Sequence, residues 1–211
     1  MTDFWTLVGP DYAGKSTILD RLSAQHGWHV VSYDDRYIAP FPLIRVLRER
    51  WIDDGFARVG ARHSAELVLA ALHPIVLHLR DEVARAANRG PVIVDSYYYK
   101  LLVKCRLLGV EHAPLFAYWR SFPQPRGAVY LDVPPDVAWE RSGFGARVNT
   151  FEHAGPAVAD RRAGFSALQS GLRAAILDEL SRVPVTIIDG AGDPGTVERK
   201  VLAALAIPDA R

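Results

Sequence analysis

The chain has 211 residues, 49% of them apolar and 23% charged, with a formal net charge of +1. That length supports one sizeable α/β core, and the composition excludes a disordered or fibrous protein. Near-neutral charge excludes a protein that coats nucleic acid, so any anion must be held by local geometry rather than a global field.

In chain order, the first eight residues carry no basic region, and their apolar run ends at once in a glycine loop. This is the pattern of a strand (5–8), not of a signal peptide. A helix is expected over 15–26, a strand over 28–32, and helices over 42–54 and 64–88. Pro74 should kink the second of these or split it in two, since it cannot donate the usual backbone bond. Further strands are expected at 92–95, 128–132 and 185–189, and further helices at 97–108, 135–142, 158–182 and 194–206. Short β-branched runs alternating with helical periodicity predict βαβ units. The fold class is therefore α/β: a five-stranded parallel sheet flanked by helices, in a single domain over 1–211. No stretch approaches the roughly 20 apolar residues of a membrane span. The lone Cys105 allows no internal disulfide and is expected to be buried filler. A cytoplasmic protein without membrane or nucleic-acid partners is expected.

The chemistry begins at Gly9-Pro10-Asp11-Tyr12-Ala13-Gly14-Lys15-Ser16, a gapless G-x-x-x-x-G-K-[ST] between a strand and a helix. In such a loop the backbone N–H groups point inward and cradle phosphate oxygens, helped by the positive end of the following helix. Lys15 reaches the β and γ phosphates, the Ser16 hydroxyl ligates magnesium, and Thr17 adds a hydroxyl. ATP and Mg²⁺ are the expected cofactors. Asp95 closes an apolar strand at the carboxyl edge of the sheet, where ligands bind. It either holds magnesium or caps the helix that follows. The basic, glycine-containing run 142–150 reads as a flap, within a short lid at about 142–155.

At this point the residues resemble the thymidylate kinase family of the nucleoside monophosphate kinase group. Gly9–Thr17 looks like the family's G-x-D-G-x-G-K-S-T, including Asp11. The run Val129-Tyr130-Leu131-Asp132-Val133-Pro134-Pro135-Asp136-Val137-Ala138-Trp139-Glu140-Arg141 is similar to the family's LDVPPEVALER. Ile187-Ile188-Asp189-Gly190 resembles its final strand, whose following loop lies near adenine. The resemblance implies that Arg141 and Arg147 are lid arginines that neutralise the transferring phosphoryl group. With Tyr12 at the variable loop position, no arginine comes from the P-loop. It also implies that Asp11 contacts an acceptor-sugar hydroxyl, and that the chain forms a homodimer.

The acceptor half departs from the family. Asp95-Ser96-Tyr97 stands where the family has Asp-Arg-Tyr, Tyr98-Tyr99-Lys100 replaces a tyrosine–glutamine pair, and the base-reading helix positions fall on Leu69 and His73. The recipient is thus a nucleoside monophosphate, with dTMP in question, or else a hydroxyl of a nucleoside or other metabolite. An alcohol gains from a general base, and Asp34 or Asp35 after the second strand is the candidate. Arg36 is a candidate for gripping an acceptor phosphate, and Tyr97 and His73 are candidates for the acceptor pocket. A third reading is a nucleotide-dependent switch without kinase activity, although no N-K-x-D guanine motif is present. His73 and His78 lack the carboxylate or cysteine neighbours of a zinc site.

Overall fold

The computed structural model describes residues 3–49, 62–86, 89–148, 152 and 160–206. Five strands form one sheet: β1 (Phe4–Val8), β2 (His29–Val31), β3 (Val92–Asp95), β4 (Gly127–Asp132) and β5 (Val185–Asp189), in the order β2-β3-β1-β4-β5 with every pairing parallel. The three central strands are apolar on both faces, as strands sandwiched between helices must be. Phe4, Leu7, Val8, Ile93, Val94, Val129 and Leu131 have no exposed surface. The register pairs Leu7 with Asp95, and Asp132 with Asp189, so three aspartates end their strands at one carboxyl edge.

Helix α1 (Lys15–His26) follows the glycine loop, then α2 (Asp35–Ile38), α3 (Pro42–Leu47), α4 (Ala65–Ala86), α5 (Tyr99–Leu107), α6 (Ala113–Arg120), α7 (Pro135–Arg141), α8 (Arg161–Glu179) and α9 (Pro194–Leu205). On one side of the sheet Val68, Leu72, Val76 and Leu79 of α4 pack with Leu102 of α5 and Leu172 and Ile176 of α8. On the other, Ile18 and Leu22 of α1 pack with Val197 and Val201 of α9, Leu131 and Phe165. Apolar burial on both faces, at about 25 cal/mol per Å², is what holds the sheet rigid beneath its loops.

Several elements differ from expectation for local reasons. Pro74 lies inside α4 without dividing it; the one missing backbone bond is set against fully buried Ile75 and Val76 immediately after it. The helix expected from 97 starts instead at Tyr99, because Ser96 and Tyr97 hold φ of 59° and 43°, in the left-handed region. Two helices escaped the sequence reading. Asp34 caps α2 by accepting from the Arg36 N–H, and His112 caps α6 by accepting from the Leu115 N–H. The far ends of the expected helices over 42–54 and 64–88, the start of the one over 158–182, and most of the lid beyond 148 lie outside the described residues.

Candidate nucleotide-binding and phosphoryl-transfer site

The glycine loop gets its shape from positions that tolerate no ordinary side chain. Gly9 has φ 155°, and a Cβ there would lie 2.7 Å from the Leu131 carbonyl oxygen. Gly14, at φ 87°, precedes α1, whose first turn has neither a capping side chain nor an acidic residue. The helix's positive end and its first N–H groups therefore face the loop's hollow. The Lys15 ammonium donates to the loop's own carbonyls, 3.0 Å from Pro10 and 3.4 Å from Gly9. Burial, and then the nearby Lys100 charge, push its pKa down from the ordinary lysine range.

Two hollows meet at this loop. A cleft of about 530 Å³ opens toward β2 and β3, lined by the loop from Asp11 to Thr17 together with Tyr33, Asp34, Asp95, Lys100, Lys104, Arg141 and Arg147. A slot of about 300 Å³ lies between α1 and the turn after β5, walled by Ile18, Gly190, Gly192, Pro194 and Val197. Ala13, Gly14, Thr17 and Arg141 border both. Gly190 keeps the slot's floor thin, since a Cβ there would lie 2.8 Å from Val133 Cγ2.

Arg141, at the end of α7, donates to the carbonyls of Ala13 (3.4 Å) and Ala191 (3.0 Å), so it bridges the glycine loop and the turn after β5. Arg147 closes a run of tight turns in which the Ser142 hydroxyl, itself fully buried, accepts from the Gly145 N–H. The guanidinium of Arg147 donates back to the Arg141 carbonyl. Tyr12 faces it from the glycine loop at φ 60°.

Asp95 lines the cleft with its carboxylate accepting from the Ser32 (3.0 Å) and Ser96 (2.9 Å) hydroxyls. It does not cap α5, whose N-cap position is Tyr98. Among the described residues no salt bridge reaches Asp95, and no group of three or more His, Cys, Asp or Glu side chains gathers anywhere. That donor set suits Mg²⁺, which takes one or two protein oxygens and completes its octahedron with water and ligand phosphates. Ser16 and Asp95 are the two cleft residues that would hold it.

No protein-family model matches the chain. A thymidylate kinase of Pseudomonas putida (strain GB-1) is 30% identical over 212 aligned positions, covering 96% of this chain and 94% of the relative. The thymidylate kinase of strain W619 is 29% identical, with 96% and 95% coverage. This chain belongs to the thymidylate kinase family. Among solved structures, deoxyadenosine kinase from M. mycoides with bound dATP superposes with a TM-score of 0.65 over 97% of this chain and 100% of that one. At 14% identity this is a likeness of fold.

As a member of the thymidylate kinase family the chain is a nucleotide kinase, and the residues read from the sequence as acceptor candidates are arranged unlike that expectation. Tyr97 is fully buried in the core, its ring edge-on to Phe4 at 5.4 Å, so it does not reach the cleft. His73 accepts from the Trp119 indole N–H at 3.0 Å and stacks on that ring, away from the cleft. Arg36 is exposed and bound to Asp34 and Asp20, and Asp35 is exposed and bound to Arg48; neither lines the cleft. Asp34 does line it, but its carboxylate accepts from both the backbone and the Nε of Arg36. Burial raises its pKa, yet the Arg36 hydrogen bonds and charge outweigh this and leave it below the ordinary range.

Asp11 is buried and doubly paired. Its two oxygens lie 2.7 Å from the Lys100 ammonium and 3.0 Å from that of Lys104, and Gln169 donates to it at 3.1 Å. Burial pushes the Asp11 carboxyl up, but the lysine charges overwhelm that and hold it far below the usual carboxylate range. Gln169 and Lys104 were not candidates in the sequence. The available signal was a helix, Tyr99–Leu107, apolar apart from Arg106 and two lysines four residues apart. Cys105 is buried, and burial pushes its thiol up to about 12, so it is chemically inert. No helix among the described residues is long and apolar enough to cross a membrane.

Proposed function

We propose that the protein transfers the γ-phosphoryl group of ATP to a nucleoside monophosphate, with Mg²⁺ as cofactor. The observation that carries this is the pair of hollows joined at the glycine loop, with Arg141 bordering both. A donor nucleotide fits with its base in the slot between Ile18 and Val197, its phosphates over Gly14–Thr17, and its γ-phosphoryl directed into the cleft where the acceptor lies. Phosphoryl transfer asks little covalent chemistry of the protein; it needs in-line positioning and cations at the equatorial oxygens. In this reading Lys15 leaves the loop carbonyls for the β and γ phosphates, and the backbone N–H groups of the uncapped helix take the α and β oxygens. Arg141 and Arg147 neutralise the charge that spreads as the bond to the leaving oxygen lengthens. Ser16 and Asp95 would hold magnesium, which would supply further neutralisation of the phosphate charge.

An acceptor phosphate is already ionised and needs no base. This agrees with Asp34 being committed to Arg36, which holds its carboxyl below the usual range and makes it a poor proton acceptor, and with Asp35 lying outside the cleft against Arg48. The test is ADP release with ATP and magnesium against a panel of deoxynucleoside monophosphates and the matching nucleosides. Release that depends on a monophosphate is expected, and Lys15→Ala should abolish it with every acceptor. Hydrolysis of ATP indifferent to the whole panel would sink the kinase reading, and release driven by nucleosides alone would move the acceptor to a hydroxyl.

A further inference from the structure

A third hollow, of about 550 Å³, opens between β4, β5 and α8, and it shares no lining residue with the cleft or the slot. The parallel register sets Tyr130 beside Ile187 and Asp132 beside Asp189, so these four side chains lie on one face of the sheet. Tyr130 is the residue that packing alone does not explain. Its side chain is fully buried, and among the described residues its hydroxyl has no hydrogen-bond partner. An unpaired buried hydroxyl is costly, and a position that needed only a ring would carry phenylalanine without that cost. Burial, and then the Asp132 carboxylate, push the Tyr130 pKa up to about 12, so the phenol keeps its proton to donate. Asp132, Lys100 and Arg173 are the charges close enough to act on this hydroxyl, and the first and last of them line the hollow.

The remaining lining narrows what can pair with Tyr130. Arg173 is committed to Asp132, its Nε and Nη2 lying 2.9 Å and 2.8 Å from the carboxylate oxygens. Asp189 accepts the Ala191 N–H at 2.9 Å, and a carboxylate has further lone pairs to offer. An anion would have to break the Asp132–Arg173 pair. An ammonium would answer Asp189 but has no lone pair for the Tyr130 proton. A neutral ring with both a carbonyl and an N–H answers both groups, and its flat faces suit the apolar wall of Val133, Pro134 and half-exposed Ile187.

We infer that the hollow between β4, β5 and α8 is a separate binding site for an uncharged nitrogen heterocycle, with Tyr130 donating to its carbonyl and Asp189 accepting from its N–H. Because the hollow shares no residue with the cleft or the slot, this ligand binds alongside the nucleotides rather than in place of them. That holds whichever acceptor the kinase uses.

The experiment is calorimetry with ADP at saturation, so that the glycine loop is already occupied. Uracil is the probe, 1,3-dimethyluracil is the same ring without N–H groups, and orotate is the ring with a negative charge. Saturable uracil binding at about millimolar concentration or below is expected, the range open to so small a ligand. Dimethyluracil and orotate should each bind at least about tenfold more weakly, since each leaves a polar group of the site unanswered or opposed. Tyr130→Phe keeps the ring that packs in the core and should weaken uracil by about threefold to tenfold, the loss of one hydrogen bond. Asp189→Asn, which can still accept the Ala191 N–H, should weaken uracil by a similar factor. Adding each of the four deoxynucleoside monophosphates in turn should leave uracil binding in place. Displacement by any of them would put uracil in the cleft and overturn the inference. So would an absence of uracil binding, which would leave the Tyr130 hydroxyl to water, or equal binding of dimethyluracil or orotate. Uracil affinity unchanged in Tyr130→Phe would overturn it as well, by removing the hydroxyl from the site.

Discussion

The Tyr12 hydroxyl lies 2.6 Å from the backbone carbonyl of Arg147, while the Arg147 guanidinium sits over the Tyr12 ring with its carbon 5.7 Å from the centroid. A residue of the glycine loop thus holds the segment that carries Arg147, and the Glu152 carboxylate, 2.9 Å from the same hydroxyl, offers a second acceptor. Burial and then Glu152 raise the Tyr12 pKa, so the phenol keeps its proton and remains a donor throughout the neutral range.

Tyr12→Phe should therefore lower kcat by roughly threefold to tenfold, the equivalent of one hydrogen bond of about 1 kcal/mol. ADP affinity should stay unchanged, because the ring still lies beneath Arg147. Tyr12→Ala, which also removes the cation–π contact, should lower it further. Steady-state kinetics on both variants decide the matter: equal rates for Phe and wild type would mean that the hydroxyl does not position Arg147.

Arg141 ties Ala13 to Ala191 through two different nitrogens, a geometry that a lysine cannot reproduce. Arg141→Lys retains the charge but loses the fork. The expected outcome is a fall in kcat of about 10²-fold, the size seen when one preorganised donor to developing charge is removed. The melting temperature should shift little, because the bridge is two single hydrogen bonds to loop carbonyls, one of them on exposed Ala191. A kcat within threefold of wild type would assign Arg141 to loop support alone.

Much of this site was legible in the sequence because its parts are contiguous. The run Gly9–Ser16 carries its own mechanism: Gly9 is needed where Leu131 crowds the backbone, Gly14 where φ is positive, and Lys15 where α1 begins. The carboxyl edge was legible for the same reason, since an apolar strand ending in aspartate must bring that aspartate to the sheet's rim. The acceptor side was not legible, because it depends on how distant segments pack. Tyr97 reads as pocket lining, yet the left-handed turn at Ser96 and Tyr97 sends it into the core and leaves Ser96 and Lys100 facing the cleft. Arg36 reads as a phosphate ligand and Asp35 as a general base until α2, which the sequence did not announce, presents them to Asp20 and Arg48. Lys104 meets Asp11 across more than ninety residues, and nothing local in either segment records that meeting.

Asp34 separates the two acceptor chemistries cleanly. Asn caps a helix about as well as Asp, so Asp34→Asn should preserve α2 while removing the only carboxylate from that turn which lines the cleft. With a phosphate acceptor the rate should remain within about threefold of wild type, as no proton has to be removed. A loss of two or more orders of magnitude, growing steeper at lower pH, would restore Asp34 as a general base.

His78 predicts the direction of acid sensitivity. It is buried on α4 with its ring 4.5 Å from that of Phe41. Burial lowers its pKa first; Glu82 and Asp81 pull upward and Arg85 downward, and the net shift is down. His73, bound to Trp119 through an unprotonated Nδ1, is lowered in the same way by burial and by Arg80. In the unfolded chain both histidines take up protons near the ordinary value of about 6.5, whereas the folded chain resists. The unfolded state then binds more protons, and stability falls as the pH drops through that window. Each such histidine contributes at most about 1.4 kcal/mol per pH unit. Thermal melts should therefore show a lower Tm at pH 5.5 than at pH 7.5, and His78→Leu, which cannot titrate, should flatten part of that difference. A His78→Leu protein with the same pH slope as its parent would show that the acid sensitivity arises elsewhere.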